Sequence, residues 1–567
     1  MATELDLEIN ATVARLTSGD GPLAISYIEK FGVQLPMISK SPANLAEYIT
    51  YFAALNADKE FLVDGDIRLT FAQCYEAARE LAGGLVEGHK LEVGDRVGIA
   101  ARNSANWIIA YMAIIMAGGV ATLLNGWWQG GELADGINMV TCRYVLADKQ
   151  RAARLESENL GDTQILLFDH DCAPLEGLAT LCAKGGGTAT QLPAIDPLDN
   201  ATILYTSGST GQSKGAWSDH RAVVQGAMNY VGQTLIFFDI LTSKGLSTSL
   251  QPSTLLNVPL FHVTAAVPVL LQSFAIGRKL VMMPKWDAEE AMRLIEAEKI
   301  TYFVGVPLMS IELATHPRRH EYDLTSCTAF AAGGAPRPVE HVRKIRKEMD
   351  WAYPLLGYGL TETNGVGCGN LTENYLAKPE STGTANRPLV EIGILDDDGN
   401  HMPQGERGEV CIRTIANFNG YWNNEDATAA AFTNDGFFRS GDIGYLDDEG
   451  YLFIVDRKKD IIIRGGENIS CPEVEAAAYQ HDGIAELSVF GIHDERFGEV
   501  PGLVYHMKDG VQLSCEELKQ FLAARLAPFK VPVHFWCESE PLPRLGTQKI
   551  DRVTLRREYN EKVMTTV

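Results

Sequence analysis

The chain has 567 residues, of which 46% are hydrophobic, 22% charged and 8% aromatic. That is enough for several domains and a large core, and it excludes collagenous, disulfide-scaffold and wholly disordered classes. The formal net charge of −24 removes the electrostatic footprint of a general nucleic-acid binder. The ten cysteines are scattered with no C-x-x-C pair, so zinc and redox motifs have no support. The opening MATELDLEIN is acidic and lacks the basic-then-apolar layout of a signal peptide, so a reducing, cytoplasmic setting is the expectation.

Residues 107–124 are nearly uncharged and mimic a membrane span, but the length is marginal and Gly118-Gly119 divides the stretch. The reading here is a buried helix over 105–117 followed by a buried strand through 124. Trp127-Trp128 would be core or pocket lining. Strands and helices then alternate to about residue 310. Residues 278–283 form a strand pattern, and Asp287-Ala-Glu-Glu290 is a capping box. The helix after it carries Ala288, Ala291, Met292 and Ile295 on one face, and 301–304 is the next strand. Repeated βαβ units of this kind give an α/β architecture with parallel-rich sheets layered with helices. Residues 389–450 change to short strands with Gly, Asp and Asn turns, a small β-rich subdomain. Past Asp460 the chain starts afresh as a compact α+β domain, with strands at 487–490 and 501–505. A helix there is capped by Ser514-Cys-Glu-Glu517 and stopped by Pro528. The expected division is 1–458 and 459–567.

The most informative segment is YTSGSTGQSKG at 205–215. An apolar strand runs into a loop of small glycines, hydroxyls and a lysine, the donors that surround a polyphosphate. The G-x-x-x-x-G-K-[ST] spacing of a Walker A loop cannot be placed on it. GGAP at 333–336, GYGLTET at 357–363, FRSGDI at 438–443, VDRKKDIIIRGGENIS at 455–470 and LPRLGTQKIDR at 542–552 follow in order. Each is weak alone: a turn, a cap, a solvated charge run. GVGCG at 365–369 lacks the G-x-G-x-x-G spacing of a dinucleotide site.

Together these segments resemble the adenylate-forming superfamily of acyl-CoA synthetases, luciferases and peptide-synthetase adenylation domains, over about residues 51–552. The resemblance implies a large N-terminal domain, a small mobile C-terminal domain and two steps. A carboxylate attacks the α-phosphate of MgATP to give acyl-adenylate and pyrophosphate, and a thiol, commonly that of coenzyme A, then displaces AMP. It assigns Thr206, Ser207, Gly208, Ser209, Thr210, Gly211 and Lys214 to the β- and γ-phosphates. Gly334, Ala335 and Pro336 flank adenine, and Tyr358 stacks on it. Thr361 meets the α-phosphate and Glu362 holds Mg²⁺. Asp442 receives the ribose hydroxyls, with Arg457 as a further ribose or phosphate contact. Lys549 is the catalytic lysine, His262 sits near the substrate carboxylate or is a core histidine, and Gly465 and Gly466 line the pantetheine tunnel. Ser213 stands in place of proline and Gln548 in place of glycine. The expected activity is an AMP-forming acid–CoA ligase using ATP, Mg²⁺ and coenzyme A, with a medium- or long-chain or bulky acyl group. Glycines 333, 334, 357, 365 and 367 would leave room for it. Transfer to a carrier protein or amine, and a nucleotide-binding protein without turnover, are the alternatives. A homodimer is the default expectation.

Overall fold

The apolar run over 105–116 has polar residues only at its start, and it folds as the helix Ala105–Met116, capped by Ser104, whose side chain accepts from the Trp107 N–H. Every residue of that helix is buried, because it lies between two large sheets and touches strands of both. The strand Val120–Leu123 follows, as the patterning requires. The computed structural model describes residues 3–206, 213–245, 248–334, 337–465, 467–545 and 549–566. Among these, no helix is long and apolar enough to cross a membrane.

The first large sheet has seven strands in the order Gly420–Tyr421, Lys214–Asp219, Asn200–Thr206, Val120–Leu123, Arg96–Ala100, Tyr144–Ala147 and Gln164–Leu167. It is parallel from Asn200–Thr206 onward and antiparallel at its first two strands. The second has nine, in the order Thr384–Ala385, Gly367–Asn370, Tyr353–Gly359, Ala329–Gly333, Tyr302–Gly305, Ser253–Leu256, Lys279–Met282, Glu60–Asp64 and Ile67–Thr70. Its inner strands are parallel, with antiparallel strands at both ends. Buried on both faces, such strands read as continuous apolar runs. A four-stranded antiparallel sheet, Glu391–Leu395, Gly408–Arg413, Phe438–Leu446 and Leu452–Arg457, forms the β-rich piece. The small C-terminal domain is a five-stranded sheet flanked by the helices Cys471–Ala478, Cys515–Ala523 and Arg552–Thr566.

Two local expectations change. Asp287 caps the helix Ala288–Glu298 by accepting from the Glu290 N–H at 2.8 Å, but the Glu290 carboxylate turns to Arg293 at 2.6 Å instead of closing the box. A charged partner one turn on outcompetes a neutral backbone N–H. The helix capped by Ser514 ends at Ala523, short of Pro528, which opens its own turn Pro528–Lys530.

Candidate active site

The parallel strands of both large sheets deliver the motif residues at their carboxyl ends, where crevices in α/β sheets open. Asn200–Thr206 ends on Thr206, which is in register with Lys214 of the antiparallel return strand. Thr206 and Lys214 are thus held opposite one another at the two ends of the glycine- and hydroxyl-rich segment; Ser207, Gly208, Ser209, Thr210 and Gly211 lie outside the described residues. Ala329–Gly333 ends beside Gly334, while Ala335 and Pro336 also lie outside them. Tyr353–Gly359 carries Tyr358, and a single 3-10 turn, Thr361–Thr363, then presents Thr361 and Glu362.

Two polar triads occupy the crevice. In the first, the Tyr358 hydroxyl donates to Asp442 Oδ2 at 2.7 Å, and Arg457 Nε lies 3.0 Å from Asp442 Oδ1. Asp442 and Arg457 are register partners across neighbouring strands, so sheet geometry sets that pair. Burial raises the Asp442 carboxyl above the ordinary carboxylate range, with Arg457 and Tyr358 drawing it back down. In the second, the Tyr421 hydroxyl donates to Glu362 Oε1 at 2.8 Å, and Lys214 Nζ stands 4.7 Å from the centre of the Tyr421 ring. Glu362 is buried and its carboxyl is likewise raised, opposed by Tyr421, Arg457 and Lys214.

Lys549 enters from the C-terminal domain. The Leu545 N–H donates to the Lys549 carbonyl at 2.8 Å, and Arg544 forms an antiparallel bridge with Ile550, so the lysine's backbone is held beside Leu545. A Cβ placed on Gly334 would lie 3.0 Å from both Cε and Nζ of Lys549, and Gly334 has φ +75°. Only a glycine accepts that backbone without strain and leaves room for the lysine. Burial, with Arg457 nearby, pulls the Lys549 ammonium down from 10.5 to about 8. His262 begins a short helical segment, its Nδ1 accepting from the Thr264 N–H at 3.3 Å. Burial and the Lys549 charge lower its pKa to about 3, so the imidazole is neutral.

The remaining expectations divide. Gly465 sits on an exposed hairpin of the C-terminal sheet, its N–H donating to the Phe497 carbonyl, and it meets no atom of the crevice; Gly466 lies outside the described residues. Lys549 and Gly465 are thus not brought together in this arrangement. Of the glycines read as making room, only Gly357 faces open space. At Gly367 an added Cβ would lie 2.4 Å from the Tyr358 carbonyl, so that glycine serves strand approach. Trp128 packs edge-on against Tyr205 in a buried cluster while Trp127 is exposed.

Sequence reasoning missed Tyr421, Lys30 and Asn364. Lys30 Nζ donates to the Asn417 carbonyl at 2.6 Å, anchoring the segment whose Phe418 N–H donates to the Glu362 carbonyl. Asn364, in a left-handed conformation, ties the Glu362 turn to Ser218 and Ala416. Tyr421 had a signal, Gly-Tyr-Trp at 420–422, that went unused.

Residues 49–422 match the family model described as AMP-binding enzyme, and 473–549 match that of the AMP-binding enzyme C-terminal domain. The chain is a member of the AMP-binding enzyme family. It is 30% identical to the long-chain-fatty-acid–CoA ligase of Bacillus subtilis, covering 95% of this chain and 98% of that protein. The ATP-bound MatB structure from Rhodopseudomonas palustris superposes with a TM-score of 0.81 at 25% identity, covering 92% of this chain and 99% of that one. The Bacillus subtilis o-succinylbenzoate coenzyme A synthetase, in complex with ATP and magnesium ion, gives 0.74 at 26% identity over 90% and 98%.

Proposed function

We propose that Lys549, His262, Lys214, Glu362, Tyr358, Asp442 and Arg457 form one site on which an acid is joined to a thiol through an acyl-adenylate. The chain is an AMP-forming acyl-CoA ligase that uses ATP, Mg²⁺ and coenzyme A. In the first step a carboxylate oxygen attacks the α-phosphorus of ATP, the bond to the β-phosphate breaks, and pyrophosphate leaves. In the second the thiol of coenzyme A attacks the acyl carbonyl, its proton passes to solvent, and AMP leaves with the bonding pair.

The Asp442 carboxylate, steered by Tyr358 and Arg457, is the acceptor for a sugar diol. Thr206 and Lys214, paired across neighbouring strands, face the phosphates. Glu362 is a hard oxygen donor buried among cations, which suits Mg²⁺ beside a triphosphate, where the ion would screen charge on the leaving group. Lys549 bridges the attacking carboxylate and the α-phosphate, stabilising charge that builds at the transition state. Neutral His262 beside it offers a ring N–H to the acid without adding a second cation. The observation that carries this reading is the contact of Lys549, from the C-terminal domain, with Gly334 at the end of an N-terminal strand.

The acyl group is proposed to be medium- or long-chain, or bulky. Relatives named for long-chain and medium-chain acids and the open face of Gly357 support this. The domain boundary is proposed at residues 458–459, with a mobile C-terminal domain that later brings Gly465 and Gly466 to the crevice. All ten cysteines are free thiols, which supports a reducing, cytoplasmic setting. The test is coenzyme-A-dependent AMP formation across acids from short aliphatic to aryl to long-chain. Turnover confined to the shortest acids would refute the acyl class, and AMP formation that no thiol accelerates would refute the acceptor.

A further inference from the structure

Lys214 and Glu362 carry opposite charge in the same crevice, yet no ion pair joins them among the described residues, and Tyr421 stands between them. Its hydroxyl donates to Glu362 Oε1 at 2.8 Å while its ring faces Lys214 Nζ at 4.7 Å. We propose that Tyr421 is a positioning residue that holds the Glu362 carboxylate in place for a divalent cation and keeps Lys214 from neutralising it. The inference rests on the reading of Glu362 as the group that faces Mg²⁺.

The surroundings of Tyr421 fix it independently of any ligand. The two-residue strand Gly420–Tyr421 pairs with the strand that begins at Lys214, with Ala216 opposite Tyr421 and Trp217 opposite Gly420. Thr428 accepts the Tyr421 N–H at 2.9 Å, and a Cβ on Gly420 would lie 2.7 Å from the Thr428 methyl. The ring is packed edge-on against buried Phe418, whose N–H donates to the Glu362 carbonyl at 2.7 Å. One short segment thus grips Glu362 by backbone and side chain together. A buried carboxylate deprived of both that hydroxyl and the ring would seek its nearest cation, and Lys214 is close enough to bias its charge. Pairing the two would remove a metal ligand and a phosphate contact at once. An aromatic face attracts an ammonium without consuming an anion, so the phenol serves one partner and the ring the other.

The test compares Tyr421→Phe, which keeps the ring, Tyr421→Leu, which removes both, and Glu362→Gln. Each is titrated with a non-hydrolysable α,β-methylene analogue of ATP in the presence and absence of Mg²⁺, after thermal melting has confirmed folding. Tyr421→Phe should weaken Mg²⁺-dependent binding about 10- to 100-fold, the range for losing a hydrogen bond to a charged acceptor, with metal-free binding unchanged. Tyr421→Leu should also weaken metal-free binding, because Lys214 is then drawn to Glu362. Thioester formation from synthetic acyl-adenylate, which requires no triphosphate, should survive in both. If Glu362→Gln weakens the Mg²⁺-dependent binding and Tyr421→Phe does not, the role of Tyr421 is refuted. If neither does, the reading of Glu362 is refuted and the proposal falls with it.

Discussion

The sharpest consequence of the geometry concerns the pH dependence of adenylation. In its proposed role Lys549 must be protonated to stabilise negative charge at the α-phosphate, yet burial and Arg457 hold its pKa at about 8 in the free enzyme. Relative to the ordinary 10.5 that corresponds to on the order of 3 kcal/mol against the charged form. Because the pKa is lowered, the ammonium is fully present below about 8 and is lost as pH rises past it. The kcat/KM of the first half-reaction, which reports the free enzyme, should therefore fall about tenfold per pH unit above 8. A bound triphosphate restores the charge by Coulombic attraction, so kcat should hold level to higher pH. Lys549→Ala should lower adenylation by about two to three orders of magnitude, the scale for one lost transition-state electrostatic contact. Its thioester formation from synthetic acyl-adenylate should be nearly intact. Lys549→Arg, slower but permanently charged, should lose the alkaline descent. Pyrophosphate exchange measures the first half-reaction and thioester absorbance the second. An unchanged descent in Lys549→Ala, or turnover within a few-fold of the parent, would refute the reasoning.

Gly334→Ala adds a Cβ 3.0 Å from the Lys549 ammonium at φ +75°, a backbone costing about 1–2 kcal/mol for any other residue. The variant should melt lower and lose adenylation about 100-fold while keeping thioester formation, because a displaced lysine resembles an absent one. Equal loss in both half-reactions would place the defect elsewhere. Asp442→Ala should weaken ATP binding by about 1.5–3 kcal/mol in calorimetry, since the ribose hydroxyls lose a charged acceptor; unchanged affinity removes Asp442 from the nucleotide site. Lys459 lies in the turn after Leu452–Arg457, and its N–H donates to no backbone carbonyl among the described residues. Lys459→Pro should therefore fold, fix the arrangement seen here with Lys549 at the crevice, and spare adenylation while thioester formation falls. Loss of both steps with the fold intact would argue against a hinge there.

Much of the layered α/β architecture was legible because it depends on local pattern. The break at Gly118-Gly119 separated a helix from a strand, and the charged and glycine-rich motifs fell at strand ends where the fold needs them. Residues whose meaning comes from distant partners were not legible. Tyr421 gains its role from Glu362 and Lys214, which the chain contributes from far upstream, and Lys30 from carbonyls near residue 416. Glu290 was misread because spacing marks a capping box but cannot rank it against Arg293 on the same helix face. The contact of Lys549 with Gly334 joins two motifs that were each readable, yet nothing in either reports that they touch. The glycines were over-read for a related reason: composition records that a side chain is missing, and only the fold tells whether the vacated space faces a cavity or a carbonyl.

Asp442 and Arg457 face one another across neighbouring strands, and the chain leaves Arg457 directly into the turn that leads to the C-terminal domain. The floor beneath the proposed nucleotide and the mounting of the C-terminal domain are therefore the same piece of β-structure. Such a mechanism works as a crank whose bearing is loaded by its own cargo. If the C-terminal domain turns on that mounting as proposed, a nucleotide seated on the floor would stiffen it from below, and its departure would slacken it. Resetting the domain for another cycle would then be coupled to release of AMP, with no separate signalling element required.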